Sequence, residues 1–142
     1  IRNLVTNGQV EEARKLLSRP HRLDGVVVHG EKRGREIGYP TANLGNIDGQ
    51  TIPSDGVYAG WLYAGTERYP AALSVGVNAT FQEVPRLIEA HILDRDDVDL
   101  YDKLVTLEYV DFIRPSAKFD GVESLVAEIN RDLEKIRQRL DI

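Results

Sequence analysis

The sequence predicts a mainly β fold: a small antiparallel Greek-key-type β-barrel of about six strands, with a C-terminal α-helix packed on it and a short N-terminal helix. Two observations carry this. From about residue 56 to 113, short β-branched and aromatic runs alternate with turn residues, and no helical pattern intervenes. From Val122 to Leu140, apolar residues recur instead at steps of three and four. The 142 residues suffice for one domain with a real core.

The elements follow in order. Residues 9–18 read as a short helix with Val10, Ala13, Leu16 and Leu17 on its apolar face and Glu11, Glu12 and Arg14 outside. Asn7-Gly8 supplies a turn or cap before it, and Pro20 stops it. Leu23–Gly30 is strand-like, and a polar, glycine-containing loop then runs to Gly38. Gly56–Tyr63 is a strand that turns back through Ala64-Gly65-Thr66-Glu67 into Ala71–Val77. Leu87–Leu93 and Leu104–Phe112 complete the strand set, with turns at Asn78-Ala79, Arg95–Asp99 and Pro115. In the last helix Val122, Leu125, Val126, Ile129, Leu133, Ile136 and Leu140 recur at three- and four-residue steps, with Asp120 as its expected N-cap.

Composition narrows the chemistry. The chain has no cysteine, which excludes disulfides, thiolate metal sites and a cysteine nucleophile. Its three histidines, His21, His29 and His91, are far apart and make no zinc-binding pair. A net charge of −5 disfavours general nucleic-acid affinity. No apolar run approaches the ~18 residues that cross a bilayer, and no signal peptide is visible. The expected partners are therefore small molecules, without nucleic acid or membrane, and the expected location is cytoplasmic.

The chemistry concentrates between Gly30 and Leu44. Gly30 and Gly38 bracket a basic cluster of Lys32, Arg33 and Arg35, with Gly34 inside it. Glycine lets backbone N–H groups approach phosphate oxygens, and arginine neutralises their charge. A solvated hairpin tip has the same composition. The segment matches neither GxxxxGK[ST] nor GxGxxG. In Pro40-Thr41-Ala42-Asn43, Thr41 and Asn43 lie two apart, so an extended chain points both to one side. Their hydroxyl and amide oxygens make a hard, neutral pair suited to Mg²⁺ if nucleotide phosphates bring the anionic charge. A Thr and an Asn closing a turn beside Pro40 fit the spacing equally.

The run Gly34-Arg35-Glu36-Ile37-Gly38-Tyr39-Pro40-Thr41-Ala42-Asn43 resembles the signature of the riboflavin kinase family. The resemblance extends over about residues 20–140. It includes Ile88-Glu89-Ala90-His91-Ile92-Leu93-Asp94, then Ile113-Arg114-Pro115 with Lys118-Phe119-Asp120, and the terminal helix. It implies transfer of the γ-phosphoryl group of ATP, with Mg²⁺, to the 5′-hydroxyl of riboflavin, giving FMN and ADP. Glu89 would be the general base. Gly30, Gly34, Arg35, Thr41, Asn43, Ile92, Asp94 and Tyr101 would bind ATP, with Thr41 and Asn43 also at the metal. Arg114 and Phe119 would contact the flavin. Without the resemblance, Glu89 reads as an exposed strand carboxylate, Tyr101 as a core aromatic, Arg114 as half of an ion pair and Phe119 as a staple entering the last helix. His91, expected on the opposite strand face from Glu89, is read as structural.

The resemblance also bears on the ends. Residues 1–22 are similar to the connector of bacterial bifunctional FAD synthetases, in which Arg2 would close an adenylyltransferase motif. The expected division is therefore a connector over 1–22, from a covalently linked FMN adenylyltransferase domain, and a kinase domain over 23–142. Asn78-Ala79-Thr80 departs from the family's usual Asn-Pro-Thr, which leaves the loop through Phe81–Arg86 less restrained. A non-catalytic flavin- or nucleotide-binding barrel is the competing reading.

Overall fold

A computed structural model describes residues 2–17, 20–28, 41–45, 49–76, 87–95, 98–116 and 121–142. Two short helices, α1 (Arg2–Thr6) and α2 (Val10–Leu17), precede six strands and a long final helix. The strands are β1 (His21–Val28), β2 (Ala42–Gly45), β3 (Gly56–Ala64), β4 (Glu67–Gly76), β5 (Leu87–Ile92) and β6 (Leu104–Arg114); the final helix is α3 (Val122–Leu140).

The strands close into a barrel in the order β1-β2-β5-β4-β3-β6, with β6 returning to β1. Every neighbouring pair is antiparallel. Consecutive strands β3, β4 and β5 form a meander, and β6 comes back beside β3, which is the Greek-key arrangement. The seams differ in length. β3 and β4 pair from Gly56↔Val75 to Ala64↔Glu67, whereas β2 and β5 share only Ala42↔Ala90 and Asn43↔Glu89.

Strand alternation sends one set of side chains inward. Leu23 and Val27 from β1, Leu44 from β2, Tyr58 and Leu62 from β3, Leu73 and Val75 from β4, Ile88 and Ala90 from β5, and Val105, Leu107 and Tyr109 from β6 fill the interior. Val10 of α2 joins the same cluster and is fully buried, so the N-terminal helix packs on the barrel. The rings of Tyr109 and Phe112 both meet Tyr58 edge-on. The outward face of β3, β4 and β6 is covered by α3. There Leu133, Ile136 and Leu140 pack with Ala59 and Leu93, and with Val57, Trp61, Ala72, Val110 and Ile113. Two covered faces explain why β3 reads as nearly continuously apolar.

Gly60 marks a close approach. A Cβ there would lie 2.1 Å from the carbonyl oxygen of Glu108, so β3 and β6 could not pair as they do with any larger residue. The β3–β6 register shifts on the N-terminal side of this residue and again between Val57 and Tyr58. Such irregularities bend a strand and increase its twist.

Several expectations need correction. Leu16, assigned to the buried face of α2, is 65% exposed. Among the described side chains of α2, Val10 is the one that joins the core cluster. β4 begins at Glu67 and carries Pro70 within it, opposite Trp61. Proline contributes no N–H, but its carbonyl still accepts from the Leu93 amide at 2.9 Å. The N-cap of α3 is Gly121, which makes no side-chain cap bond; Asp120, the expected cap, lies outside the described residues. Strand β2 and helix α1 are additions to the elements read from the sequence.

Charged groups fasten the helices to the barrel. Arg139 of α3 pairs with Asp111 of β6 and lies 3.6 Å from Glu11 of α2, so one guanidinium links three elements. The hydrogen bond with Asp111, then partial burial and the Asp111 charge, push the Glu11 carboxyl above its ordinary range. Arg22 of β1 holds Glu108 of β6 at 2.7 Å.

Candidate functional site

Antiparallel register brings the candidate groups into one lateral row. Val28 of β1 is opposite Asn43 of β2, Asn43 is opposite Glu89 of β5, and Glu89 is opposite Ser74 of β4. The row continues from Ser74 to Val57 of β3 and from Val57 to Arg114 of β6. Residues directly opposite share a face of the sheet. Val57 packs under α3, which identifies this face as the outward one. An amide, a carboxylate and a hydroxyl therefore stand side by side on three adjacent strands.

Asn43 and Glu89 are thus cross-strand neighbours, with Cβ atoms roughly 5 Å apart by the geometry of such pairs. Thr41 immediately precedes β2 and is half-buried. An amide oxygen beside a carboxylate, with a hydroxyl two residues earlier, provides oxygen donors for a hard cation and a proton acceptor in one patch. Among the described residues, no group of three or more His, Asp or Glu side chains could hold a metal ion. The candidate metal donors there remain the neutral oxygens of Thr41 and Asn43.

His91 needs correction. Residues two apart on a strand share a face, and His91 lies opposite Ala72, beside the Glu89–Ser74 pair. It stands on the same outward face as Glu89, not the opposite one.

Arg114 ends β6 in the same row, three strand spacings from Glu89, or roughly 14 Å along the curved sheet. Its Nε donates to both carboxylate oxygens of Asp132 at 2.9 Å, and its Nη2 lies 2.9 Å from Oδ2. Nη1 donates to the Pro115 carbonyl at 3.1 Å, and Glu128 lies 3.5 Å from Nε. Arg131 bonds Glu128 from the next turn of α3 and, with Arg114, holds that carboxyl below its usual range. Arg114 is therefore half of an ion pair, with a carboxylate that is 4% exposed. Asp132 escaped the sequence reading because nothing in the helical pattern separates an inward acid from a solvated one.

The remaining candidates are more dispersed. Ile92 is 8% exposed and packs in the barrel core, so its side chain is committed to the interior. Asp94 adopts a left-handed backbone (φ 61°) just past β5 and pairs with Arg137 of α3. Tyr101 packs against the barrel core from a turn, with its amide donating to Asp99 Oδ1 at 3.1 Å. The next amide, of Asp102, donates to the Val27 carbonyl at 2.9 Å. This fastens the Tyr101 turn to the end of β1, near the Val28 end of the row. Gly30, Gly34, Arg35 and Phe119, together with the loop over 77–86, lie outside the described residues. Ser74 was not singled out in the sequence, because only strand register reveals its neighbour.

Comparison with known proteins bears on the same chain. Residues 17–140 match the family model described as Flavokinase: Riboflavin kinase. A bifunctional riboflavin kinase/FMN adenylyltransferase from Listeria monocytogenes is 40% identical over 96% of this chain, which spans 44% of that relative. The chain thus covers a little under half the length of this curated relative. A solved structure titled as a macrolide-efflux protein from Streptococcus pneumoniae superposes with a TM-score of 0.88 at 42% identity, covering 96% of this chain and 44% of the other. A riboflavin kinase from Trypanosoma brucei gives a TM-score of 0.64 at 27% identity, covering 87% of this chain and 81% of that one. Among the described residues no helix is long and apolar enough to cross a membrane. With the family model spanning nearly the whole barrel and its closing helix, the chain belongs to the riboflavin kinase family.

Proposed function

We propose that the chain transfers the γ-phosphoryl group of ATP to the 5′-hydroxyl of riboflavin, giving FMN and ADP. The observation that carries the reading is the cross-strand pairing of Asn43 with Glu89, which sets a neutral oxygen donor beside a carboxylate on the outward face. Glu89 takes the proton of the 5′-hydroxyl as that oxygen bonds to the γ-phosphorus and ADP departs. Thr41 and Asn43 would hold Mg²⁺ through neutral oxygens, and the phosphates would complete its anionic ligands. When bound, the metal neutralises charge on the β- and γ-phosphates.

The nucleotide would run from this patch toward Asp94 and the Tyr101 turn, with the backbone at Ile92 available where its side chain is not. Gly30, Gly34 and Arg35 are the family-matched residues over the phosphates, and Arg114 and Phe119 those on the flavin side. Residues 1–22 would serve as the connector to an FMN adenylyltransferase domain in a parent protein like the Listeria relative, with 23–142 as the kinase unit.

The test is direct. The 142-residue chain, given MgATP and riboflavin, should release FMN and ADP in equal amounts. Glu89→Gln should lower kcat by about 10²–10⁴-fold while nucleotide affinity stays within a few-fold. No FMN from the intact chain would refute the kinase reading. Near-normal turnover by Glu89→Gln would remove Glu89 as the base.

A further inference from the structure

We propose that Asp132 is a positioning residue for the flavin side of the site: it holds the Arg114 guanidinium in the orientation that meets the ring of riboflavin. This rests on the reading of Arg114 as a flavin-side group and adds a residue that reading does not contain. Arg114 stands in the same outward row as Glu89, with Ser74 and Val57 between them. The row therefore carries a carboxylate on β5 and a planar cation at the end of β6. Riboflavin is an elongated substrate, a ribityl chain with a flat ring at one end, and placing it needs a fixed group at each end.

Arg114 is held through its backbone and through its side chain. A Cβ at Gly56 would lie 2.7 Å from the Arg114 carbonyl oxygen, so β3 closes tightly on the end of β6. On the side chain, Nε donates to both carboxylate oxygens of Asp132 at 2.9 Å, and Nη2 lies 2.9 Å from Oδ2. Nη1 donates to the Pro115 carbonyl at 3.1 Å. The other nearby acid, Glu128, is 3.5 Å from Nε and is itself bonded by Arg131 at 2.6 Å. Asp132 is therefore the acid that sets the guanidinium plane. It is buried, and Leu133 and Ile136 next to it pack α3 onto the barrel, so the carboxylate acts from a fixed base.

Arginine is a long, flexible side chain, and a carboxylate that grips it with both oxygens fixes its orientation as well as its position. A group ordered in advance loses no further freedom when the ligand arrives. For one such side chain the saving corresponds to roughly five- to tenfold in affinity. Asp132 acts through Arg114 and need not touch riboflavin.

The experiment measures riboflavin binding to the 142-residue chain by quenching of flavin fluorescence, with steady-state kinetics alongside, well below the thermal midpoint of each variant. Asp132→Asn loses the two-oxygen grip and should raise Kd and KM for riboflavin roughly five- to tenfold. Its kcat and its KM for MgATP should stay within about twofold of the parent's. Arg114→Ala should weaken riboflavin binding at least as much, and in that background Asp132→Asn should weaken it no further, because the two residues act as one unit. Ile136→Val, one turn along α3, loosens the helix without touching Arg114 and should leave riboflavin affinity unchanged. Parent-like riboflavin affinity in Asp132→Asn, or an equal loss in Ile136→Val, would overturn the proposal and leave Asp132 as a fastening of α3. If Arg114→Ala binds riboflavin like the parent, the flavin-side reading of Arg114 fails and this proposal with it.

Discussion

Arg114 and Asp132 join the last residue of β6 to the middle of α3 through a guanidinium–carboxylate contact in which three N–O distances are 2.9 Å. The acid is buried and the arginine side chain is 16% exposed. Pairs of this kind do little for net stability relative to apolar residues, but breaking one strands a charge. Asp132→Ala should therefore destabilise the chain by about 3 kcal/mol. For a chain of this size that corresponds to a fall in thermal midpoint of roughly 6–12 °C. Asp132→Asn, which retains an acceptor, should cost less than half as much. Equal midpoints for Asp132→Ala and the parent would show that the pair contributes only geometry.

Glu11 gives a pH-dependent signature. Its folded pKa is raised, first by the hydrogen bond with Asp111, then by partial burial and by the Asp111 charge. An acid with a raised folded pKa favours the folded state most below its unfolded value of 4.5, and that contribution is lost as pH rises through the folded value. Glu11→Gln removes the ionisation and should raise the thermal midpoint slightly at pH 7. The gain should vanish below pH 4.5. A lower midpoint for Glu11→Gln at pH 7 would mean that attraction to Arg139 outweighs repulsion from Asp111.

Asn43→Ala tests the nucleotide side of the site separately from the proton acceptor. KM for MgATP should rise roughly tenfold, equivalent to ~1.4 kcal/mol, and the Mg²⁺ concentration for half-maximal activity should rise with it. KM for riboflavin should stay within a factor of about two. Unchanged nucleotide and Mg²⁺ dependence would remove Asn43 from the metal site.

Much of the barrel was legible before its coordinates because its signals are local. The turn at Gly65-Thr66 and the alternation of Val57, Ala59 and Trp61 with Tyr58 and Leu62 define the β3–β4 hairpin from within twenty residues of sequence. Pro70 cut the reading of β4 short, because the sequence does not say which side of a strand must donate. Leu16 was misplaced because helical spacing in two turns does not tell which apolar position faces the barrel. α1 escaped because Val5 is its single buried residue and one residue has no period.

The site was legible only in part, for a different reason. The spacing of Thr41 and Asn43 put two oxygen donors on one side of an extended segment. The carboxylate partner Glu89, however, belongs to β5, more than forty residues away, and only the ladder names it. Ser74 was invisible for that cause, and Asp132 because the helical pattern does not separate an inward acid from a solvated one. His91 was placed on the wrong face although strand alternation alone fixes it beside Glu89.

The short β2–β5 seam has a consequence for motion. Among the described residues, this seam holds two paired positions and the β3–β4 seam nine. Amide hydrogens opened by local fluctuation exchange with solvent soonest where a ladder is shortest. A ligand that grips both Asn43 and Glu89 would bridge this seam from outside and slow exchange in β2 and β5 before it slowed the β3–β4 hairpin. Substrate binding would then register first as a local stiffening of the β2–β5 seam.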